Sequence, residues 1–174
     1  MNFSATDMGF KVEAIGQSVT DIGFEGYATN GTAKDWSEAE FKINNFHLSF
    51  PQGALDADIH VSNLMTPNVF LDIGGHADLS LLNAILHTNA IQNMNGSLNF
   101  DGLIDGVIDM ETGLFPEDAG SLAVLLQDVR FSLPHNEMES LSGKIIFEEN
   151  TLGFQEMKIK IDSNDIELNG NIDH

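Results

Sequence analysis

The stretch at residues 141–173, LSGKIIFEENTLGFQEMKIKIDSNDIELNGNID, restricts the fold more than any other part of the chain. Gly143 leads into the run Lys144-Ile145-Ile146-Phe147, which closes in the polar turn Glu148-Glu149-Asn150. From Phe154 to Ile161 the chain then alternates, with Met157, Ile159 and Ile161 in one phase and Lys158 and Lys160 in the other. Ser163-Asn164-Asp165 turns the chain again, and Ile166, Leu168 and Ile172 line a third run. Successive side chains of a strand point to opposite faces. A period of two, with Ser, Asn and Asp at the reversals, therefore predicts a β-meander with one apolar face and one wet face.

Parts of this phrase occur earlier in the chain. Met94-Asn95-Gly96-Ser97-Leu98-Asn99-Phe100-Asp101 matches Leu141-Ser142-Gly143-Lys144-Ile145-Ile146-Phe147-Glu148 position by position. Leu71-Asp72-Ile73-Gly74-Gly75-His76-Ala77-Asp78 corresponds to Ile166-Glu167-Leu168-Asn169-Gly170-Asn171-Ile172-Asp173, and Phe46-His47-Leu48-Ser49-Phe50-Pro51 to Val129-Arg130-Phe131-Ser132-Leu133-Pro134. The order of the blocks differs, so the array is divergent and not a clean duplication. A shorter tandem opens the chain: Thr6-Asp7-Met8-Gly9-Phe10 returns fourteen residues later as Thr20-Asp21-Ile22-Gly23-Phe24. That period is too short for a helical solenoid unit and suits one strand plus one turn.

The intervening segments read the same way. Phe46, Leu48 and Phe50 alternate up to Pro51; Leu55, Ala57, Ile59 and Val61 alternate with Asp56, Asp58, His60 and Ser62; Val69, Leu71 and Ile73 alternate up to Gly74-Gly75. Asn30-Gly31 supplies a reversal, and Asp105-Gly106 carries a hairpin signal. Two short helices are predicted. One is capped by Asp78 or Ser80, with Leu79, Leu82, Ile85 and Leu86 as its apolar stripe through His87. The other starts at Pro116-Glu117-Asp118 and runs to about Leu122. Expected is a single mainly β domain over residues 1–174, divided into a strand-pair repeat at 1–40 and two repeat blocks at 41–110 and 111–174. It is curled into a half-pipe or a partly open barrel with one or two short helices.

Composition narrows the chemistry. Seven basic residues stand against 27 acidic ones, a formal net charge of −20, which repels phosphate backbones and argues against nucleic-acid binding. Without cysteine there is no thiolate catalysis, no Cys-type zinc site and no disulfide. No run approaches the ~18 consecutive apolar residues of a membrane span. None of the histidines at 47, 60, 76, 87, 135 and 174 forms an H-x-x-H, H-E-x-x-H or H-x-H pair. Asp101, Asp105, Asp109 and Glu111 lack the ligand spacing of a calcium loop, and next to Gly102 and Gly106 they read as turn formers. There is neither a G-x-S-x-G elbow nor a phosphate-binding G-x-x-x-x-G-K-[ST] loop. No catalytic residue, metal or cofactor is expected, and the protein reads as a non-enzyme.

What remains is an apolar surface of roughly twenty side chains on one side of a sheet, with two short helices to cover it. Such a surface either closes on itself as a sandwich or stays open as a trough for long alkyl chains. The sandwich reading makes the protein a structural or adhesive module with protein partners. The trough reading assigns its wall to Phe46, Leu48, Phe50, Ile59, Val61, Leu71, Leu98, Phe100, Phe131, Ile145, Phe147, Ile159 and Ile161. Alternation alone does not say which face turns inward. An exposed edge at either end of the sheet would pair readily with a neighbour.

The phrases at Met94 to Phe100, Leu141 to Phe147 and Ile166 to Asp173, together with the strand ending at Phe50-Pro51 and the turn Ser62-Asn63-Leu64, resemble the C-terminal repetitive region of the AsmA-like family. The resemblance spans residues 41–173 and rests on strand patterns, with no invariant chemical residue to carry over. It implies a periplasmic segment of a longer envelope protein held in the inner membrane by a helix outside this sequence. It also implies relatives among TamB-type and bridge-like lipid transfer proteins, and a role in outer-membrane lipid homeostasis. The implied partners are phospholipid or another long-chain lipid, the membrane-anchored parent chain and other envelope proteins.

Overall fold

The computed structural model describes residues 1–13, 17–80, 91–116, 118–134, 136–148, 151–162 and 164–173, and the structural statements below concern these. Ten strands follow one another in chain order: β1 (Asn2–Val12), β2 (Gln17–Thr29), β3 (Glu40–Phe50), β4 (Gly53–Ser62), β5 (Asn68–Asp78), β6 (Gln92–Val107), β7 (Gly120–Ser132), β8 (Glu137–Glu148), β9 (Thr151–Ile161) and β10 (Asn164–Asp173). Each strand pairs antiparallel with its sequence neighbours, and β1 and β10 are the two free edges. The product is one open meander in keeping with a curled half-pipe, not a barrel and not a two-sheet sandwich.

The fourteen-residue tandem is one strand and one turn per copy, lying side by side as β1 and β2. The three matching blocks are strands as well: β6 with β8, β5 with β10, and β3 with β7. Three local expectations fail. β6 runs unbroken through Asp105-Gly106, because Gly106 pairs with Val69 and the true reversal lies beyond Val107. β5 does not stop at Gly74-Gly75 but continues to Asp78. Pro116 begins only a turn, closed by the Ala119 N–H donating to the Pro116 carbonyl, and Gly120 already belongs to β7. There the alternation of Leu122, Val124 and Leu126 into the ladder overrides the helix-start signal. The predicted helix at residues 79–87 lies mostly outside the described residues. The charged stretch 34–40 around Trp36, which the sequence marks as a turn region, holds a 3-10 turn at Trp36–Glu38, with Asp35 accepting from the Ser37 N–H.

The curl has a repeated local cause. Asp7, Asp21, Asn45, Asn93, Asp128 and Glu156 lie within strands at φ of 51 to 55°, the left-handed region that non-glycine residues rarely enter and Asp and Asn tolerate best. At five of these positions the apolar spacing stretches from two residues to three: Ala5 to Met8, Val19 to Ile22, Ile43 to Phe46, Leu126 to Val129 and Phe154 to Met157. Each is a β-bulge that puts one extra residue on the polar side. The polar face is thereby longer than the apolar face, and the sheet bends towards the apolar one. The orphaned bulge amides find side-chain acceptors on the next strand: Asn45 N–H on Asp58 at 2.7 Å, Asp128 N–H on Ser142 at 2.9 Å and Glu156 N–H on Asn169 at 2.6 Å.

Glycines on the preceding strand make room for two of these bulges. A Cβ on Gly96 would lie 2.6 Å from the Asp128 carbonyl oxygen, and one on Gly143 2.6 Å from Met157 Cα. Both have positive φ, +101° and +139°. These are the glycines of the repeated L/M-x-G motif, so the repeat encodes a seat for a bulge.

Candidate apolar trough

Directly paired residues of neighbouring strands share a face of the sheet. Tracing the pairs across the ladder puts one set on a common face. Phe41, Ile43, Phe46, Leu48 and Phe50 of β3 meet Val61, Ile59, Ala57, Leu55 and Gly53 of β4. Val69, Leu71, Ile73, Gly75 and Ala77 of β5 continue the set to Gly106, Ile104, Gly102, Phe100 and Leu98 of β6. Beyond these come Leu122, Val124, Leu126, Val129 and Phe131 of β7, Phe147, Ile145 and Leu141 of β8, and Leu152, Phe154, Met157, Ile159 and Ile161 of β9. Leu168 and Ile166 of β10 close the row.

All thirteen wall residues expected from the sequence lie on this one face: Phe46, Leu48, Phe50, Ile59, Val61, Leu71, Leu98, Phe100, Phe131, Ile145, Phe147, Ile159 and Ile161. The sequence reading missed the β1 and β2 share of it. Phe3, Ala5, Met8 and Phe10 pair with Gly26, Phe24, Ile22 and Val19 in the same phase, and the signal was the tandem itself. Phe3 packs against Phe24 edge-on at 6.1 Å between ring centroids and stacks on Phe41 at 6.0 Å; Phe24 stacks on Phe46 at 6.5 Å. Rings also lie over glycines directly opposite them, Phe3 over Gly26, Phe50 over Gly53 and Phe100 over Gly75. This keeps the floor aromatic and shields backbone that a glycine would leave open.

Among the described residues no layer covers the trough as a whole. Among the described residues the buried apolar side chains are Ala39, Leu79, Ala119, Val129 and Met157 only. Twelve of the thirteen wall residues are half-buried by their lateral neighbours, and Phe147 is 45% exposed. A sandwich of this length would bury a core in full. A local roof among the described residues is formed by the connection from β6 to β7. Its Leu114, Phe115 and Pro116 fold back over Leu71, Ile104 and Leu122, leaving an apolar cavity of about 460 Å³ that reaches Phe147, within the range of small-molecule sites. Gly106 allows this approach, since a Cβ there would sit 2.7 Å from that of Ala119.

The opposite face is wet and acidic. Asp56, Asp58, Asp72, Asp101 and Asp105 occupy it in β4 to β6, with His47, His60 and His76. His47 Nδ1 lies 2.5 Å from Asp56, a hydrogen bond that raises the imidazole pKa above its usual value. Glu40 is lowered, first by its hydrogen bond with Lys42 at 2.7 Å, and Lys160 is raised by Glu139 at 2.9 Å. Asp109 accepts from the Glu111 N–H at 2.8 Å and forms a turn. Among the described residues no group of three or more His, Asp and Glu is placed to hold a metal ion. A larger hollow of about 880 Å³ runs along the bulges of β7 and β9 on this face. Its lining mixes Leu125 and Leu126 with Gln127, Asp128, Lys144, Glu156 and Lys158, so an alkyl chain there would lie against charged groups, unlike in the trough.

The class defined by this geometry is an open, one-sided antiparallel β-meander whose apolar trough the described residues leave largely uncovered. Compared with known protein families, with curated proteins and with solved structures, the chain shows no match in any of the three. No described helix is long and apolar enough to cross a membrane.

Proposed function

We propose that the protein is a non-enzymatic, AsmA-like lipid-binding segment that holds or conducts phospholipid acyl chains along its apolar trough. In this reading it works in the periplasm as part of an inner-membrane-anchored envelope protein. The observation that carries the proposal is the continuous apolar face of ten strands, on which the described residues lay no covering beyond the local roof at residues 114–116. A sheet must bury its apolar face against something. The acidic outer face makes anionic surfaces poor partners for the convex side and leaves the trough as the place where lipid enters.

Magnitudes favour a two-chain lipid. An acyl chain of about sixteen carbons with half its surface covered gains roughly 6 kcal/mol, and two such chains gain roughly 12 kcal/mol before ordering costs. The first would exchange during purification; the second would be retained. The test is mass spectrometry of organic extracts of the purified protein beside native mass spectrometry of the intact chain. Retained diacyl lipid near one per chain is the expected result, with loss of loading in the folded Phe100→Asp and Phe147→Asp variants. A lipid-free, heat-stable monomer that gains no stability from added phospholipid refutes the proposal.

A further inference from the structure

Between β2 and β7 the trough face carries glycines whose side-chain space is filled and glycines whose space is not. Phe3, Phe50 and Phe100 lie over Gly26, Gly53 and Gly75; Gly96 receives the bulge at Asp128-Val129, and Gly106 receives Ala119. Gly102 and Gly120 differ. Gly102 stands in the trough phase between Ile73 and Leu122, and Gly120 stands opposite Ile104. A Cβ on Gly102 would meet the methyl ends of Ile73 and Leu122, each at 3.3 Å, and one on Gly120 would meet the Leu103 carbonyl and Ile104; in neither case is a ring among the nearest atoms. Both glycines line the cavity of about 460 Å³ beneath the β6–β7 connection. The room under that strap is thus made by two missing side chains.

The strap is fastened at both ends. The Ile108 N–H donates to the Pro67 carbonyl at 2.8 Å, and the Asp105 N–H to the carbonyl of buried Ala119 at 2.7 Å. Between them a turn is closed by the Asp109 N–H on the Leu114 carbonyl at 2.9 Å and the Gly113 N–H on the Asp109 carbonyl at 2.7 Å. Among the described residues the lining holds no charged side chain, and Ser121, its one hydroxyl residue, is in the wet phase of β7 opposite Leu103 and Glu148. A peptide occupant would bring amides that find no partner there, whereas a hydrocarbon brings none. Leu114, Leu122 and Phe147 border the cavity while 66%, 42% and 45% exposed, so an occupant would cover apolar surface that the chain leaves in water. Its volume is towards the small end of ligand sites and suits one slender chain, not two.

We infer that the space beneath the strap is a fixed seat for one alkyl chain. This rests on the lipid reading of the trough and adds a place to it. The cavity reaches Phe147 on the open floor, so one chain of a diacyl lipid enters the seat while the other lies along the trough. The lipid is then held at one station instead of sliding freely across the strands. A free fatty acid presents the same chain to the same seat.

The probes are palmitic acid and dipalmitoyl phosphatidylcholine, each with a photoactivatable diazirine near the methyl end of one chain. They are added to the unmodified protein, and the adducts are mapped by peptide mass spectrometry. Expected are adducts concentrated at residues 102–104 and 114–122. Gly102→Leu fills the seat, its new side chain meeting only yielding methyl groups at first contact, and Leu114→Asp puts a charge at the mouth on an exposed side chain. Each should weaken palmitate binding about tenfold, while Ala123→Leu, on the wet face of β7, should leave it unchanged. Adducts spread over β3 to β9 with no excess beneath the strap overturn the inference and leave the lipid reading standing. Full palmitate binding by folded Gly102→Leu and Leu114→Asp does the same. Labelling of the seat by palmitate alone supports the seat and counts against phospholipid as the occupant of the trough. No binding of either probe overturns both.

Discussion

Gly143→Ala tests the link between the repeated motif and the curl. The Gly143 backbone sits at φ +139°, a region open essentially to glycine alone, and forcing alanine there costs about 1–3 kcal/mol. The new methyl would also lie 2.6 Å from both Cα and Sδ of Met157 and 2.9 Å from the Glu156 carbonyl oxygen. Sδ can swing away, but the Cα cannot without moving the bulge, and such overpacking costs roughly another 1–3 kcal/mol. The total, about 4 kcal/mol, is a large part of a typical domain's stability. Gly170→Ala is the matched control. Its backbone is equally restricted, at +151°, but its surroundings are empty, so only the conformational part, about 2 kcal/mol, is expected. Urea unfolding of both variants, followed by circular dichroism, gives the two differences directly. Equal losses would mean that glycine recurs at Gly143 for its backbone alone and does not seat a bulge. A loss at Gly143 under about 1 kcal/mol would refute both parts of the reasoning.

Asn45 probes the bulge residue itself: Asn45→Gly should be close to neutral, while Asn45→Val, β-branched at φ 52°, should cost about 2 kcal/mol in the same unfolding assay. His47 gives a pH signature. Its folded pKa is raised, chiefly by the Asp56 hydrogen bond, so its stabilisation is present below the ordinary value of 6.5 and is lost as pH rises through the folded pKa. The stability difference between the protein and its His47→Gln variant should therefore be largest below the ordinary imidazole value, stay under about 1 kcal/mol for so exposed a pair, and fade as pH rises above that value. A pH-independent difference would count against the ion pair.

The strand phases were legible because each apolar run fed one face and each polar run the other. Ile59 and Val61 against Asp58 and His60 could be read from alternation alone, and pairing then placed every predicted wall residue on the same side. The curvature was in the sequence too, in a form that resembles noise. Leu126-Gln127-Asp128-Val129 and Phe154-Gln155-Glu156-Met157 break the period of two with a step of three, and that step with Asp, Asn or Glu before the next apolar residue is the mark of a bulge. Asp105-Gly106 misled because the same dipeptide that turns a hairpin also lets a strand pass beneath Ala119. Pro116-Glu117-Asp118 misled because helix starts are local, whereas the pairing of Leu122 with Gly102 and Phe147 is not.

The bulges also bear on how such a trough can vary in length. A bulge leaves an amide without a ladder partner, and a buried or crowded orphan is costly. Here the remedy comes from the next strand, through Asp58, Ser142 or Asn169, while the space comes in two cases from a glycine on the strand before. A bulged strand and the next strand, which supplies its acceptor, are thus the smallest unit that satisfies itself, and β7 with β8 and β9 with β10 are successive instances of it, β8 adding an irregularity of its own between Met138 and Leu141. Adding a unit extends the apolar floor by two strands without altering the cross-section that the floor presents. Selection on such a chain would act on spacing, on the polar acceptor and on the glycine, and would leave the identity of each wall residue free to drift among Leu, Ile, Val, Phe and Met. That freedom suits a surface whose occupant is recognised by being apolar, and it would erode sequence likeness between such proteins while their geometry stayed the same.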